Sequence, residues 1–324
     1  MIATVVIWVA QFLIRLIRKS YLHPKRAFKN FNATFTKFNG SEAIEIVIHD
    51  TKDVMKWEPG QHLFIREISN RILDNHPFSI LSYNNNNDNT NSNDIKLIVK
   101  PMKGLTKVWY NKLNSSENGK FFEKLLIDGP FGGVPRDISS FNNLILMASG
   151  TGITAILSFI NQACELKKSN MNSGLNLSKV EMYWCFREIG DISWISNELN
   201  QISEDYGDIL KENENFLKIK LYCCSNEEEG YSNKVNNEDE SSSKSFQKII
   251  NNNKELPSFV EIFYFKPDVK KIIKEIKLSE KNIFVLSGSD LLKEQVSNSI
   301  ASRQISVING KISEIYLHTE NFSW

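Results

Sequence analysis

Cysteine is scarce in this chain: 4 in 324 residues, namely Cys164, Cys185, Cys223 and Cys224. No two stand in a C-x-x-C pair, so zinc and iron–sulfur ligation find no ligand set. Cys223 and Cys224 are adjacent in a strand-like run, which sends their side chains to opposite faces. All four are expected as reduced structural thiols. An excess of one charge is also missing. The 39 basic residues against 38 acidic ones leave a net charge of +1, without the basic stripe that marks a nucleic-acid binder. Histidine is sparse, with only His23, His49, His62, His76 and His318. No apolar run reaches the ~20 residues of a bilayer span. A hydrophobic share of 41% with 24% charged residues excludes a chain disordered throughout. The length suits two domains of ordinary size.

The N-terminus is apolar over Met1–Ile14 except for Thr4 and Gln11, and it runs into Arg15, Arg18, Lys19, Lys25 and Arg26. No basic residue precedes the run and no small-residue cleavage site follows it, unlike a signal peptide. Residues 1–24 read as a short membrane-proximal helix, apolar then basic. Three settings suit it: an interfacial or short anchoring helix with its basic end toward the cytosol, the end of a longer membrane helix, or a helix packed on the protein itself.

Two stretches have almost nothing to bury. Asn84–Asp94 is polar and of low complexity, and Asn226–Lys244 is rich in Glu, Asn and Ser. Both are expected as disordered surface insertions, the second taken as 226–255. Over 25–138, alternating runs occur at Ala43–His49, His62–Ile68, Phe78–Tyr83, Ile95–Lys100 and Phe122–Ile127, with one helix at Leu105–Leu113. Punctuated by Pro59-Gly60 and Gly129-Pro130, they predict a small antiparallel barrel. Over 139–324 the rhythm changes. Strands at Asn143–Ala148, Val180–Phe186, Leu217–Cys223, Val260–Phe265, Ile283–Leu286 and Ile312–His318 alternate with helices at Ile153–Lys167, Ile192–Ser203, Asp268–Ile276 and Asp290–Arg303. That pattern predicts a doubly wound α/β domain on a parallel sheet, with ligands at the carboxyl ends of its strands.

The strongest local feature is Ala148-Ser149-Gly150-Thr151-Gly152-Ile153-Thr154, which follows an apolar strand and opens a helix. Glycines let the backbone approach a pyrophosphate, and the helix start offers free N–H groups. His76-Pro77-Phe78-Ser79 reads as the start of a strand. Trp57-Glu58-Pro59-Gly60-Gln61-His62 comes before it, Lys103-Gly104-Leu105-Thr106 follows at a helix start, and Gly129-Pro130-Phe131-Gly132 closes the segment. A ring stacked on a strand, with its phosphates over a helix N-terminus, needs such an assembly.

In this order the motifs resemble the ferredoxin–NADP reductase superfamily, and within it the fungal ferric reductase and NADPH oxidase branch, over about residues 25–324. The resemblance implies an antiparallel β-barrel FAD-binding domain followed by an NADPH-binding α/β domain. It implies that His76, Pro77, Phe78 and Ser79 hold the isoalloxazine and nearby ribityl or phosphate groups. Lys100, Gly104 and Thr106 would hold the FAD pyrophosphate, and Gly150, Thr151, Gly152 and Thr154 would form the NADPH turn. Tyr183-Trp184-Cys185-Phe186-Arg187 resembles the strand whose final Arg faces the adenosine 2′-phosphate. A planar, permanently charged guanidinium suits that group and favours NADPH over NADH. Trp324, in the terminal Glu320-Asn321-Phe322-Ser323-Trp324, is similar to the aromatic cover that yields its place over the flavin to nicotinamide.

The chain also departs from the family. Ser287-Gly288-Ser289 stands where the family has Cys-Gly-Pro beside the nicotinamide. Ser287 and Gly288 are therefore catalytic candidates with Trp324, and slower or altered turnover is expected. Phe265-Lys266-Pro267 replaces Gly-Arg-Pro, leaving Lys266 to serve a phosphate without a bidentate fork. The haem-bearing membrane helices of full-length members have no counterpart. The stretch holding His49, His62 and His76 is interrupted by prolines and alternates like strands, so no haem is expected in this chain. The segment from Ile7-Trp8 to Arg18 resembles the end of the last membrane helix. The implied protein is an NADPH-dependent flavoprotein reductase passing hydride to FAD and single electrons onward to a ferric chelate. It would be the cytosolic-face half of a membrane ferric reductase, truncated or separately encoded, with haem supplied by a partner or an upstream region. The membrane could be the plasma membrane or an internal one. The alternatives are a superoxide-generating oxidase and a non-catalytic subunit that keeps the fold.

Overall fold

The computed structural model describes residues 2–22, 29–51, 54–69, 71–84, 94–169, 176–224 and 256–320. Most of the insertion expected at Asn84–Asp94, the whole of 226–255, and Trp324 lie outside these residues. Helix α1 (Ile2–Leu22) extends the N-terminal apolar run and exposes Val5, Ile7, Trp8, Phe12, Ile14 and Ile17. Among the described residues no helix is long and apolar enough to cross a membrane.

Alternation builds the first sheet. In β1 (Asn30–Lys37), Phe31, Ala33 and Phe35 are buried between polar neighbours. The runs named above do not include this strand, because Asn, Thr and Lys outnumber its apolar residues. With β2 (Ile44–Ile48), β3 (Gln61–Glu67), β4 (Arg71–Ser79), β5 (Ile95–Val99) and β6 (Lys120–Gly132) it forms an antiparallel sheet of order β4-β3-β6-β1-β2-β5. The outer strands approach beyond the end of β4, where Leu81 N–H donates to Lys96 O at 2.9 Å. β4 starts at Arg71, so His76–Ser79 closes a strand rather than opening one. Pairing of its start with β3, Glu67 against Arg71, supplies the order that alternation does not announce.

Helix α2 (Leu105–Ser115) buries Leu105, Trp109 and Leu113 against Phe35, Ile46, Leu63 and Leu125. One charge enters this core. Glu67 is fully buried and accepts from Lys112 Nζ at 2.6 Å, Ser69 Oγ at 2.9 Å and Trp109 Nε1 at 3.0 Å. Lys112 also reaches Glu123 at 3.3 Å.

The second sheet is parallel throughout. It comprises β7 (Asn143–Ser149), β8 (Lys179–Phe186), β9 (Leu217–Cys223), β10 (Val260–Phe263), β11 (Lys281–Ser287) and β12 (Glu314–Glu320), in the order β10-β9-β8-β7-β11-β12. Continuous apolar runs such as Leu144–Ala148 suit strands buried on both faces. One face, with Leu144, Leu146, Met182 and Trp184, packs on α3 (Ile153–Ile156), α4 (Ser158–Ser169) and α5 (Ser196–Glu212). The other, with Ile145, Met147, Phe284 and Leu286, packs on α6 (Val269–Glu275) and α7 (Asp290–Arg303). The helix expected at Ile153–Lys167 is thus two helices separated at Leu157, and that expected at Ile192–Ser203 begins as a 3₁₀ turn at Ile189–Trp194.

The two sheets meet through one apolar cluster that joins Ala43, Leu81 and Ile98 to Phe141 and Trp194. At its edge Ser41 Oγ donates to Asp191 Oδ1 at 3.0 Å and accepts from Trp194 Nε1 at 2.9 Å. Burial pushes the Asp191 carboxyl up, against Ser41, the Glu188 N–H and the charge of Lys100. Beside it the main chains of Gly40 and Gly190 touch: a side chain on Gly190 would begin 2.0 Å from Gly40 O.

Candidate functional site

The order of the parallel sheet reverses between β7 and β11, and at such a point the carboxyl ends of the strands leave a crevice for ligands. Two turns interlock there. Gly152, in the turn after β7, lies on the turn after β11, where a Cβ would sit 2.4 Å from Ser287 O and 2.7 Å from Gly288 N. Gly288, at φ +133°, lies back on the first turn, with its Cβ position 2.3 Å from Ser149 Oγ. From β8, Trp184 Nε1 donates to Gly150 O at 2.9 Å. Thr154 is buried and donates to Thr151 O at 2.9 Å.

The four sequence candidates therefore divide. Gly152 and Thr154 build the turn from behind. Thr151 is exposed, and no atom lies within 4 Å of where a side chain on Gly150 would begin. Ser287 is fully buried, and its hydroxyl has no hydrogen-bond partner among the described residues. Such a group costs about 1–3 kcal/mol if left unpaired. An open main-chain turn beside an unsatisfied hydroxyl fits a pyrophosphate-bearing dinucleotide.

Arg187 directly follows β8 and Lys266 follows β10, both exposed at the same carboxyl edge. Their strands are two spacings, about 10 Å, apart. The Cys185 thiol, at the end of β8, is pushed up to about 12 by burial. None of the four cysteines forms a disulfide, and this one stays protonated.

The second cluster lies on the antiparallel sheet. Register pairs His76 with Ile65, Pro77 with Phe64, Phe78 with Leu63 and Ser79 with His62. Leu63 and Ile65 are core residues, so Phe78 and His76 share the inner side, and the Phe78 ring is 5.8 Å from Trp109. Pro77 and Ser79 take the outer side with Phe64 and His62, whose rings lie 5.7 Å and 6.1 Å from Phe131. Burial pulls His62 below its ordinary value while Glu320 opposes that shift. Glu320 ends β12 in contact with His318 Nε2 at 2.7 Å, and its carboxylate lies against Gly60. Sequence reasoning missed His62 and Glu320 as site neighbours, since only the meeting of the two sheets brings them together.

Lys100 is exposed just past β5. Gly104 precedes α2 with open space around its Cβ position. The Thr106 hydroxyl accepts Met102 N–H at 2.9 Å and so shapes the loop. The first turn of α2 holds no acidic residue, which leaves its N–H groups available to an anion.

Comparison with known proteins agrees with this layout. The profile described as "FAD-binding domain" matches residues 26–135, and "Ferric reductase NAD binding domain" matches residues 141–301. The chain is 31% identical to "Ferric/cupric reductase transmembrane component 7" of Saccharomyces cerevisiae, over 100% of this chain and 52% of that protein. It is 25% identical to "NADPH oxidase 1" of Mus musculus, over 51% of this chain and 26% of that protein. The flavohemoglobin of Malassezia yamatoensis, solved with FAD and heme, shares the fold at a TM-score of 0.50 and 14% identity, over 97% of this chain and 66% of that one. This chain spans about half the length of the ferric/cupric reductase it matches. It contains an FAD-binding domain and an NAD-binding domain.

Proposed function

We propose that this chain, which is homologous to the ferric reductases and NADPH oxidases, carries electrons from NADPH through FAD toward a ferric chelate. The observation that carries the proposal is the interlocked pair of turns at the ends of β7 and β11, at the reversal of the sheet, where such sheets take their ligands. The bound flavin supplies the conversion of a hydride into single electrons. The chain's own groups bind and orient. Gly150 and Thr151 offer main chain to the NADPH pyrophosphate, with Gly152 and Thr154 shaping the turn. Arg187 and Lys266 take the 2′-phosphate. Pro77 and Ser79 face the isoalloxazine, held from behind by His76 and Phe78. Lys100, Gly104 and Thr106 frame the FAD pyrophosphate at the start of α2. Ser287 and Gly288 align the nicotinamide, and Trp324 covers the flavin.

In this reading residues 25–138 form a closing antiparallel barrel, supported by the Leu81–Lys96 bond between its outer strands. Residues 139–324 form a doubly wound domain, supported by helices on both faces of the sheet. In the same reading α1 lies at the cytosolic face of a membrane, beside a haem-bearing partner or region that takes the electrons, a setting supported by the exposed apolar side chains of α1.

The purified chain supplied with FAD is expected to be yellow and to bleach on anaerobic addition of NADPH. A chain that takes up neither nucleotide overturns the proposal. Arg187→Ala is expected to raise KM for NADPH about 10- to 100-fold, the worth of a hydrogen bond to a charged group. KM for NADH should stay within about twofold, because NADH lacks the 2′-phosphate. Steady-state kinetics with both cofactors give the ratio.

A further inference from the structure

We infer that Ser149 is a positioning residue whose hydroxyl clamps Ser289 and thereby fixes the Ser287-Gly288 turn on which the nicotinamide is aligned. The inference rests on the reading of that turn given above. Ser149 is the last residue of β7, and Ser289 lies 140 positions away, one residue past Gly288. The Ser289 N–H donates to Ser149 Oγ at 2.8 Å, and Ser149 Oγ–H donates to Ser289 Oγ at 3.2 Å. Ser289 Oγ in turn accepts Leu292 N–H at 3.4 Å as the N-cap of α7. A line of hydrogen bonds thus runs from the end of one central strand to the helix that follows its neighbour.

Burial does not demand this clamp. Ser149 is half-buried and Ser289 is exposed, so water could satisfy both groups. What the clamp restricts is motion. Gly288 has the backbone freedom of a glycine at φ +133°, and the Ser149 hydroxyl packs directly on its Cα. Without that hydroxyl the turn after β11 keeps its Gly152 contact on one side and loses its tether on the other. The phosphate-facing groups, Gly150, Thr151, Arg187 and Lys266, are untouched, so alignment should suffer and affinity should not.

The backbone also supplies a rescue. Ser289 sits at φ −65° and ψ 150°, the φ to which proline is locked. Proline at 289 would restrain the turn through its ring and has no N–H for Ser149 to hold. The cost is the N-cap hydroxyl.

The test compares the full chain with Ser149→Ala and with Ser149→Ala combined with Ser289→Pro. Ser149→Ala is expected to lower kcat for flavin reduction by NADPH about tenfold. KM for NADPH and Kd for 2′,5′-ADP should hold within about twofold. Hydrogen exchange in the apoprotein should show the Ser289 amide losing protection about tenfold, with the core strands unchanged. The double variant should recover most of kcat. Normal turnover or unchanged Ser289 exchange in Ser149→Ala would overturn the inference, as would a kcat loss that proline does not rescue. If the wild-type chain binds neither NADPH nor 2′,5′-ADP, the nucleotide reading fails and the inference goes with it. If it binds both and Ser149→Ala turns over normally, only the inference fails.

Discussion

Gly152→Ala is expected to cut NADPH-driven flavin reduction by at least about 100-fold while leaving bound FAD in place. The added methyl would start 2.4 Å from Ser287 O, 2.5 Å from Ser287 C and 2.7 Å from Gly288 N. All three are main-chain atoms, so no side chain can rotate away. One turn must retreat from the other by about 1 Å, and a misplacement of that size costs on the order of 10²-fold in rate. Overpacking adds about 1–3 kcal/mol of destabilisation. The residues proposed to face the flavin, His76–Ser79, belong to the other sheet from the one that Gly152 follows, so the flavin spectrum should be that of the wild type. Anaerobic stopped-flow reduction, followed at the flavin band beside a thermal melt, separates the two effects. Wild-type reduction rates would show that the turns do not act as a unit.

Lys112→Met should cost the antiparallel half about 3 kcal/mol. Removing one partner of a buried pair costs about 3–5 kcal/mol, and the lower end applies because the Lys112 side chain is 31% exposed while Glu67 is fully enclosed. The pH dependence has a definite sign. Burial alone raises the Glu67 carboxyl, but hydrogen bonds from Lys112, Ser69 and Trp109 outweigh it and leave the group below its ordinary value. A carboxyl depressed in the folded state adds stability above its unfolded pKa, about 4.3, and loses it as pH falls through the folded value. Lys112 runs the other way. Burial lowers it, Glu67 and Glu123 raise it, and it ends above its ordinary value. Its contribution is complete below an unfolded pKa of about 10.4 and disappears as pH rises through the folded value. The wild-type chain should therefore show a stability plateau between these limits. Lys112→Met should lower the plateau, erase the alkaline limb and weaken the acid one. Urea melts at about pH 4, 7 and 10.5 measure all three.

The parallel half is the more legible in sequence. Its strands are near-continuous apolar runs, and Gly150-Thr151-Gly152 marks the end of the first. In the antiparallel half β1 is hidden, because Phe31, Ala33 and Phe35 are spaced by Asn and Thr, and burial of alternate residues needs few apolar ones. The four residues of His76–Ser79 are legible as a group, but their division into inner and outer sides depends on register with β3. Ser149 and Ser289, or Ser41 and Asp191, are serines and an aspartate with no local signature. Their roles exist only because segments 140 or 150 positions apart meet in the fold.

The meeting of Gly40 and Gly190 has a consequence for rebuilding this protein. The two halves are spaced there by bare main chain, with a would-be Cβ at 2.0 Å. A chimera that joins either half to one from another protein must keep the glycine at 190. A graft with any side chain at 190 wedges the halves apart by more than about 1 Å, and reacting atoms must come within about 3–3.5 Å. Such a hybrid could fold each half correctly, load both nucleotides, and still fail to pass a hydride between them.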